Sequence, residues 1–178
     1  MNNKQKIYFF SQLQTDGDQN MVAILGGKGA PIAELCKLGL PVPPGFTLAT
    51  SLCSDYLKNK SLSIGLQSNI KKNISKTEGV IEKTFGGSNP LLLSVRSGAP
   101  VSMPGMMETI LNIGLTSKTI PFMIEASGNE GFVYDSYRRL IMMYADVVME
   151  KALGLNRSSC SIRELMEKEL ESVKKVKG

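Results

Sequence analysis

The chain has no histidine and no tryptophan, and only three of its 178 residues are cysteine. Cys36, Cys53 and Cys160 are odd in number, widely spaced and without an imidazole to join them, which argues against both a disulfide framework and a zinc site. Long apolar runs are also lacking, because the one near the N-terminus, Ile7–Phe10, is too short for a signal sequence or a membrane span. These absences predict a cytoplasmic protein in a reducing compartment, with no membrane partner.

Charge is unevenly balanced, with 21 basic and 16 acidic residues and a formal net charge of +5. A positive balance suits a polyphosphate ligand and also occurs in nucleic-acid-binding proteins. The lysines in the middle of the chain lack interleaved aromatic residues, so we interpret them as a solvated face and expect no nucleic-acid partner. They are Lys58, Lys60, Lys71, Lys72 and Lys76.

Hydrophobic periodicity predicts an α+β arrangement followed by helices. The predicted strands are 7–10, 46–49, 91–95 and 109–113, and the predicted helices of this part are 51–58 and 66–85. We expect Gly86 and Gly87 to end the second helix. Beyond residue 116 an apolar stripe predicts a long helix, and a Ser161–Glu164 capping box predicts the start of a final one. We predict two subdomains, 1–115 with the strands and 116–178 helical and incomplete.

The segment 94–109 follows a predicted buried strand and reads Ser-Val-Arg-Ser-Gly-Ala-Pro-Val-Ser-Met-Pro-Gly-Met-Met-Glu-Thr. Gly98 and Gly105 allow backbone N–H groups to approach an anion closely, and Arg96 offers a planar fork suited to phosphate oxygens. A tight structural turn accounts for the same composition. From the residues alone, the segment is either a phosphate-cradling loop or such a turn.

A second glycine cluster, Leu-Gly-Gly-Lys-Gly-Ala at 25–30, precedes an apolar helical pattern. We expect Lys28 to lie where a glycine loop begins a helix, with Pro31 in the first turn, a place that favours anions. The spacing excludes a Walker loop, and the dinucleotide fingerprint is absent.

Four sequence segments closely resemble the N-terminal end of pyruvate, phosphate dikinase in their residues, their order and their approximate spacing. They are 25–30, 38–47 (Leu-Gly-Leu-Pro-Val-Pro-Pro-Gly-Phe-Thr), 94–109 and 134–139 (Tyr-Asp-Ser-Tyr-Arg-Arg). The resemblance covers roughly residues 6 to 150. The first two blocks are shared with phosphoenolpyruvate synthase and water dikinases, whereas the Ser-Gly after Arg96 and the Met-Pro-Gly-Met-Met run favour the phosphate-using enzyme.

This resemblance implies a partial ATP-grasp N-terminal subdomain followed by a helical subdomain. It also implies the family reaction, in which ATP, pyruvate and phosphate become AMP, phosphoenolpyruvate and pyrophosphate. A histidine on a separate domain carries the phosphoryl group to a pyruvate-binding domain. By the same resemblance Lys28 and Arg96 contact the ATP phosphates, with Arg96 also catalytic, while Gly98, Gly105 and Met107 belong to the nucleotide-binding loop.

Parts that the resemblance implies are missing from this chain. Without a histidine there is no phosphocarrier, and none of the 16 acidic residues matches the family's Mg²⁺ ligands. We therefore expect an ATP-binding fragment or truncated chain that is not catalytically competent alone, its partners being the missing phosphohistidine and pyruvate-binding domains. An apolar face left uncovered by the missing part predicts self-association into a homo-oligomer.

One residue departs from the family pattern within its most specific block. Pro100 stands where most family members have arginine, and proline removes both a cation and a backbone N–H donor. A site weakened in this way fits the alternative interpretation, a non-catalytic remnant of a truncated gene that binds nucleotide or a partner protein.

Overall fold

A computed structural model of the chain describes residues 5–98, 109–152 and 161–177. These residues form two compact units. The first comprises residues 5–85 with 97–98, and the second comprises 86–96, 109–152 and 161–177. Helices and small antiparallel sheets occur in both, so the predicted α+β class is confirmed.

The first unit packs helices against one antiparallel strand pair. Its elements are β1 (Ile7–Phe10), a 3-10 turn (Gln19–Met21), α1 (Val22–Lys37), β2 (Gly45–Leu48), α2 (Ser51–Asn59) and α3 (Leu66–Ile81). In the β1–β2 pair Ile7 lies opposite Leu48 and Phe10 opposite Gly45. The buried core joins β1, α1 and the end of β2, and consists of Tyr8, Leu25, Ala30, Ala33 and Ala49. Because the α1 contribution includes two alanines, the helix backbone lies close to the strands.

Helix α3 ends earlier than its sequence pattern predicted. The expected stop at Gly86 and Gly87 is wrong, since Glu82 already takes the left-handed conformation at φ +59°. Glu78 stabilises this end of the helix with two hydrogen bonds. Its carbonyl accepts the Glu82 N–H at 2.8 Å, and its carboxylate accepts the Phe85 N–H at 2.7 Å. Glu82 thereby takes the left-handed conformation that a C-terminal glycine takes in many helices.

The second unit combines a strand pair with the later helices. Its elements are β3 (Leu93–Arg96), β4 (Thr109–Ile113), α4 (Ile120–Ser127), α5 (Glu130–Tyr144), a π-helical segment (Ala145–Ala152) and α6 (Ile162–Lys177). Its core contains Leu115, Ile120 and Val133, with Tyr137 and Leu140 of α5 packed against them.

An irregularity interrupts the β3–β4 register. Leu93 lies opposite Ile113 and Val95 opposite Ile110, so β4 carries one extra residue between these pairs. Asn112 absorbs it with a φ of +60°, a conformation that asparagine tolerates better than most residues.

Side-chain caps fix two helix starts in this unit. Asn129 Oδ1 accepts the Phe132 N–H at 2.9 Å at the start of α5. At α6 the predicted capping box is confirmed, because Ser161 Oγ accepts the Glu164 N–H at 3.0 Å and Glu164 Oε2 accepts the Ser161 N–H at 3.3 Å. The predicted subdomains, 1–115 and 116–178, stay a prediction. The compact units group the residues differently, with β3 and β4 beside the later helices.

Candidate functional site

The glycine cluster at 25–30 lies within a helical run rather than in the loop that the sequence predicted. α1 begins at Val22, and its only non-helical residue is Gly26, with φ +75° and ψ 172°. These angles are accessible almost exclusively to glycine. The run therefore bends at Gly26, a second helical segment begins at Gly27, and Pro31 lies in the fifth position of that segment.

Thr50 holds this bend from the start of α2. Its hydroxyl donates to the Ala23 carbonyl at 2.7 Å, and its N–H donates to the Ile24 carbonyl at 2.8 Å. In an unbroken α-helix these two carbonyls accept the N–H groups of Gly27 and Lys28. The bend thus leaves those two N–H groups at the start of a helical segment, where the backbone favours negative charge.

Gly29 has a packing role in the same cluster. A Cβ placed on it would lie 2.7 Å from Thr47 Cγ2, 3.0 Å from Thr47 Oγ1 and 3.1 Å from Leu25 Cβ. Only glycine lets α1 approach β2 this closely without displacing a neighbour. Backbone geometry at Gly26 and close packing at Gly29 therefore account for two of the three glycines of the Gly-Gly-Lys-Gly sequence.

Lys28 is the charged residue of this cluster. Its side chain is half-buried, and it makes no hydrogen bond or ion pair with any residue that the structure describes. An anionic ligand beside a half-buried ammonium group is screened by water less than at a fully exposed position. Lys28 thus combines a cationic group with the two N–H groups at the bend.

Arg96 ends β3 opposite Thr109, at the point where the segment 97–108 begins. Its side chain is exposed, and its hydrogen bond to the described residue Ser94 is long, 3.4 Å from Nε to Oγ. Gly98, two residues later, is also exposed, and a Cβ placed on it would meet no atom within 4 Å. The guanidinium end of Arg96 is therefore accessible to a ligand.

The sequence-predicted site residues are divided between the two units. Lys28 belongs to the first unit, Arg96 to the second, and Gly98 to the first. Their convergence on a single ligand stays a prediction. Gly105, Met107 and Pro100 lie outside the described residues.

Sequence reasoning did not predict the contacts that Thr50 and Asp135 make. Thr50 directly precedes α2 and makes no side-chain capping hydrogen bond there, and its hydroxyl holds the α1 bend instead. Asp135 orders two arginines of α5, accepting from Arg138 Nη2 at 2.7 Å and from Arg139 Nε at 2.6 Å. The hydrogen bonds from Arg138 and Arg139 hold the pKa of this carboxyl below its ordinary value. Its i,i+3 and i,i+4 spacing to the arginines is the signal that points to these pairs.

Residues 5–98, 109–152 and 161–177 bring together no group of three or more cysteine, aspartate or glutamate side chains that would hold a metal ion. Within the same ranges no helix combines the length and apolar character that a bilayer crossing requires.

Comparison with known proteins gives one consistent result. The chain is 48% identical over 145 residues to a pyruvate, phosphate dikinase of Rhizobium meliloti, a match that covers 80% of this chain and 16% of the relative. It is 43% identical over 176 residues to the pyruvate, phosphate dikinase of Entamoeba histolytica, covering 98% of this chain and 18% of that protein. A chloroplastic pyruvate, phosphate dikinase of Mesembryanthemum crystallinum is 43% identical over 180 residues, or 98% of this chain and 17% of the relative.

The chain therefore spans less than a fifth of the length of the curated relatives it matches, between 16% and 18% in these three cases. No family model matches it.

Proposed function

We propose a nucleotide-binding function for this chain because it belongs to the pyruvate, phosphate dikinase family. In this proposal the chain forms the N-terminal part of an ATP-grasp nucleotide-binding domain, and the ligand is ATP. The observation that carries the proposal is the bend at Gly26, which places a partly buried lysine without a described partner beside two N–H groups at a helix start. This combination favours a polyphosphate over a neutral ligand.

Arg96 is the second cation that we assign to the triphosphate. An exposed guanidinium beside an open glycine has room for an oxyanion, and its planar fork pairs with two phosphate oxygens at once. In the proposed site Lys28 acts as a point charge and Arg96 as an orienting fork. During phosphoryl transfer such preorganised donors stabilise the charge on the moving group, which is the catalytic role we assign to Arg96.

We further propose that the chain does not complete the family reaction by itself. The reaction of ATP, pyruvate and phosphate relies on a phosphohistidine and a pyruvate-binding domain, and this chain contains no histidine. Magnesium ordinarily bridges carboxylates and phosphates, and the described residues contribute no carboxylate group of this kind. No step through a metal is therefore assigned to these residues. A reducing, cytoplasmic location accords with Cys36 and Cys53, which are both free thiols.

The test is a calorimetric titration of ATP, with and without Mg²⁺, into the wild-type chain and three variants. Charge-assisted hydrogen bonds contribute about 1.5–3 kcal/mol each, so Lys28→Ala and Arg96→Ala should each weaken binding about tenfold to a hundredfold. Arg96→Lys keeps the charge but loses the fork, and we expect an intermediate loss. Lys118→Ala is the matched control, because Lys118 is exposed and has no ion pair with a described residue.

Two outcomes would contradict the proposal. Binding that is unchanged in both alanine variants would remove Lys28 and Arg96 from the site. Absence of ATP binding by the wild-type chain at millimolar concentrations, about the weakest range that titration detects, would favour the non-catalytic remnant instead.

A further inference from the structure

The short segment 47–50, where β2 ends, contacts α1 on both sides of its bend. Ahead of the bend, the Thr50 hydroxyl donates to the Ala23 carbonyl at 2.7 Å, and the Thr50 N–H donates to the Ile24 carbonyl at 2.8 Å. Beyond the bend, the Thr47 side chain occupies the space into which a Cβ on Gly29 would project. The two threonines therefore hold both helical segments of α1 against one stretch of chain.

Thr50 is itself fixed by contacts outside α1. Its neighbour Ala49 is buried, and the Ala49 N–H donates to the Lys6 carbonyl at 2.9 Å. The Lys6 ammonium donates to Ser51 Oγ at 3.0 Å and to Asp55 Oδ2 at 3.1 Å, which joins the start of α2 to the chain ahead of β1. The position of Thr50 is thus set by the core and by the strand pair.

The two carbonyls that Thr50 binds are those that a continuous α1 would use for its own backbone. In an α-helix each carbonyl accepts the N–H four residues further on, so Ala23 would pair with Gly27. By the same rule Ile24 would pair with Lys28. Because Thr50 already donates to both carbonyls, straightening the helix would exchange these hydrogen bonds for others without adding any. Thr50 thereby favours the bent form, in which the N–H groups of Gly27 and Lys28 lie at the start of a helical segment.

We propose that Thr50 is a positioning residue for the polyphosphate of the ligand. Its hydroxyl holds the bend, so that the N–H groups of Gly27 and Lys28 are in place to donate to phosphate oxygens. This inference rests on the nucleotide-binding function proposed above and adds a residue that acts through α1. Donors that are fixed in advance need no ordering when the anion binds, which raises its affinity. Loss of the hydroxyl should therefore weaken the binding of a polyphosphate whether or not it carries a nucleobase.

Calorimetric titrations of ATP and of inorganic tripolyphosphate test the role of the hydroxyl. Thr50→Val closely matches threonine in shape and keeps the backbone N–H, but it removes the donor to the Ala23 carbonyl. A net neutral hydrogen bond corresponds to about threefold to tenfold in an equilibrium constant, and we expect a loss of that size for both ligands. Thr50→Ser keeps the hydroxyl and should bind both ligands as the wild type does.

Thr77→Val is the matched control, because it removes the same kind of hydrogen bond from the same unit. The Thr77 side chain is buried in α3, and its hydroxyl donates to the Asn73 carbonyl at 2.9 Å. This variant should lower the free energy of unfolding of the first unit and leave both ligand affinities unchanged. If the two valine variants weakened binding equally, the effect would be a general loss of packing, and the positioning role would be overturned.

The amide resonances of Gly27 and Lys28 report on the bend. In the unliganded chain they should shift in Thr50→Val, return to their wild-type positions in Thr50→Ser and stay in place in Thr77→Val. In the wild-type chain, ATP should shift both resonances more than it shifts the amide of Lys118. This last measurement uses the unaltered chain, so it remains informative if a variant fails to fold.

Failure of this proposal and failure of the nucleotide site give different results. Affinity that is lowered in Lys28→Ala and unchanged in Thr50→Val would overturn the positioning role alone. Amides of Gly27 and Lys28 that do not respond while ATP binds would overturn it as well. Absence of ATP and tripolyphosphate binding by the wild-type chain would remove the nucleotide site and the role of Thr50 together.

Discussion

Replacing Gly29 by alanine tests the close approach of α1 to β2. Alanine stabilises a helix interior by about 0.8–1.0 kcal/mol relative to glycine. At Gly29, however, the new methyl group would lie 2.7 Å from Thr47 Cγ2, and overpacking of this kind costs about 1–3 kcal/mol. We therefore expect Gly29→Ala to lower the free energy of unfolding of the first unit, by up to about 2 kcal/mol.

Gly79 of α3 provides the matched control. A Cβ on Gly79 meets no atom within 4 Å, so Gly79→Ala has the helix-propensity gain without the steric cost. It should stabilise the unit by about 0.5–1 kcal/mol. The difference between the two variants then isolates the steric cost.

Native-state hydrogen exchange of the β1, α1 and β2 amides is the appropriate assay, because it reports the free energy of opening of this unit alone. Thr47→Ala removes both atoms nearest to the added methyl, so Gly29→Ala should cost less in that background, with a coupling of about 1 kcal/mol. If Gly29→Ala proved as stabilising as Gly79→Ala, the close contact between α1 and β2 would be refuted.

Three further predictions concern the second unit and the cysteines. Thr119→Val should lower the free energy of unfolding by about 1–3 kcal/mol, because the buried Thr119 Oγ1 accepts the Thr116 N–H at 2.8 Å and this N–H would lose its partner. A urea titration of the variant measures this loss. The pKa of Asp135 is lowered, so its ion pairs stabilise the fold at pH values above the ordinary aspartate pKa, and this stabilisation is lost as the pH falls through the lowered pKa. An NMR titration of the carboxyl group should give a midpoint below that of an unfolded peptide, and a midpoint at or above the peptide value would contradict the prediction. Burial raises the pKa of the Cys36 thiol, so alkylation at pH 8 should reach the exposed Cys53 well before Cys36, as peptide mass mapping would show.

Local signals in the sequence were sufficient for several elements. The capping box at Ser161 and Glu164 depends on two residues three positions apart, and it forms as predicted. The strand at 109–113 coincides with β4, whereas the strand predicted at 91–95 is found at Leu93–Arg96. The end of α3 was missed because it depends on the Glu78 carboxylate reaching the Phe85 N–H, seven residues away, which periodicity does not encode.

The sequence predicted the residue types of the candidate site better than it predicted the backbone conformation around them. The glycines around Lys28 indicated a special conformation, but a loop and a bent helix have the same composition there. The choice is made by Thr50, whose hydroxyl binds the Ala23 carbonyl from 27 positions further along the chain. Such a tertiary hydrogen bond leaves no periodic trace in the sequence.

The conformation of Gly26 has a genetic consequence. Every single-base change of a glycine codon that alters the amino acid introduces a β-carbon, and none of the resulting residues adopts φ +75° with ψ 172° without strain. Every single-base missense change at codon 26 is therefore expected to strain the backbone of this chain. A substitution at codon 26 should thus indicate relaxed selection, whereas a substitution at the exposed, sterically open Gly79, where alanine is accommodated, should not.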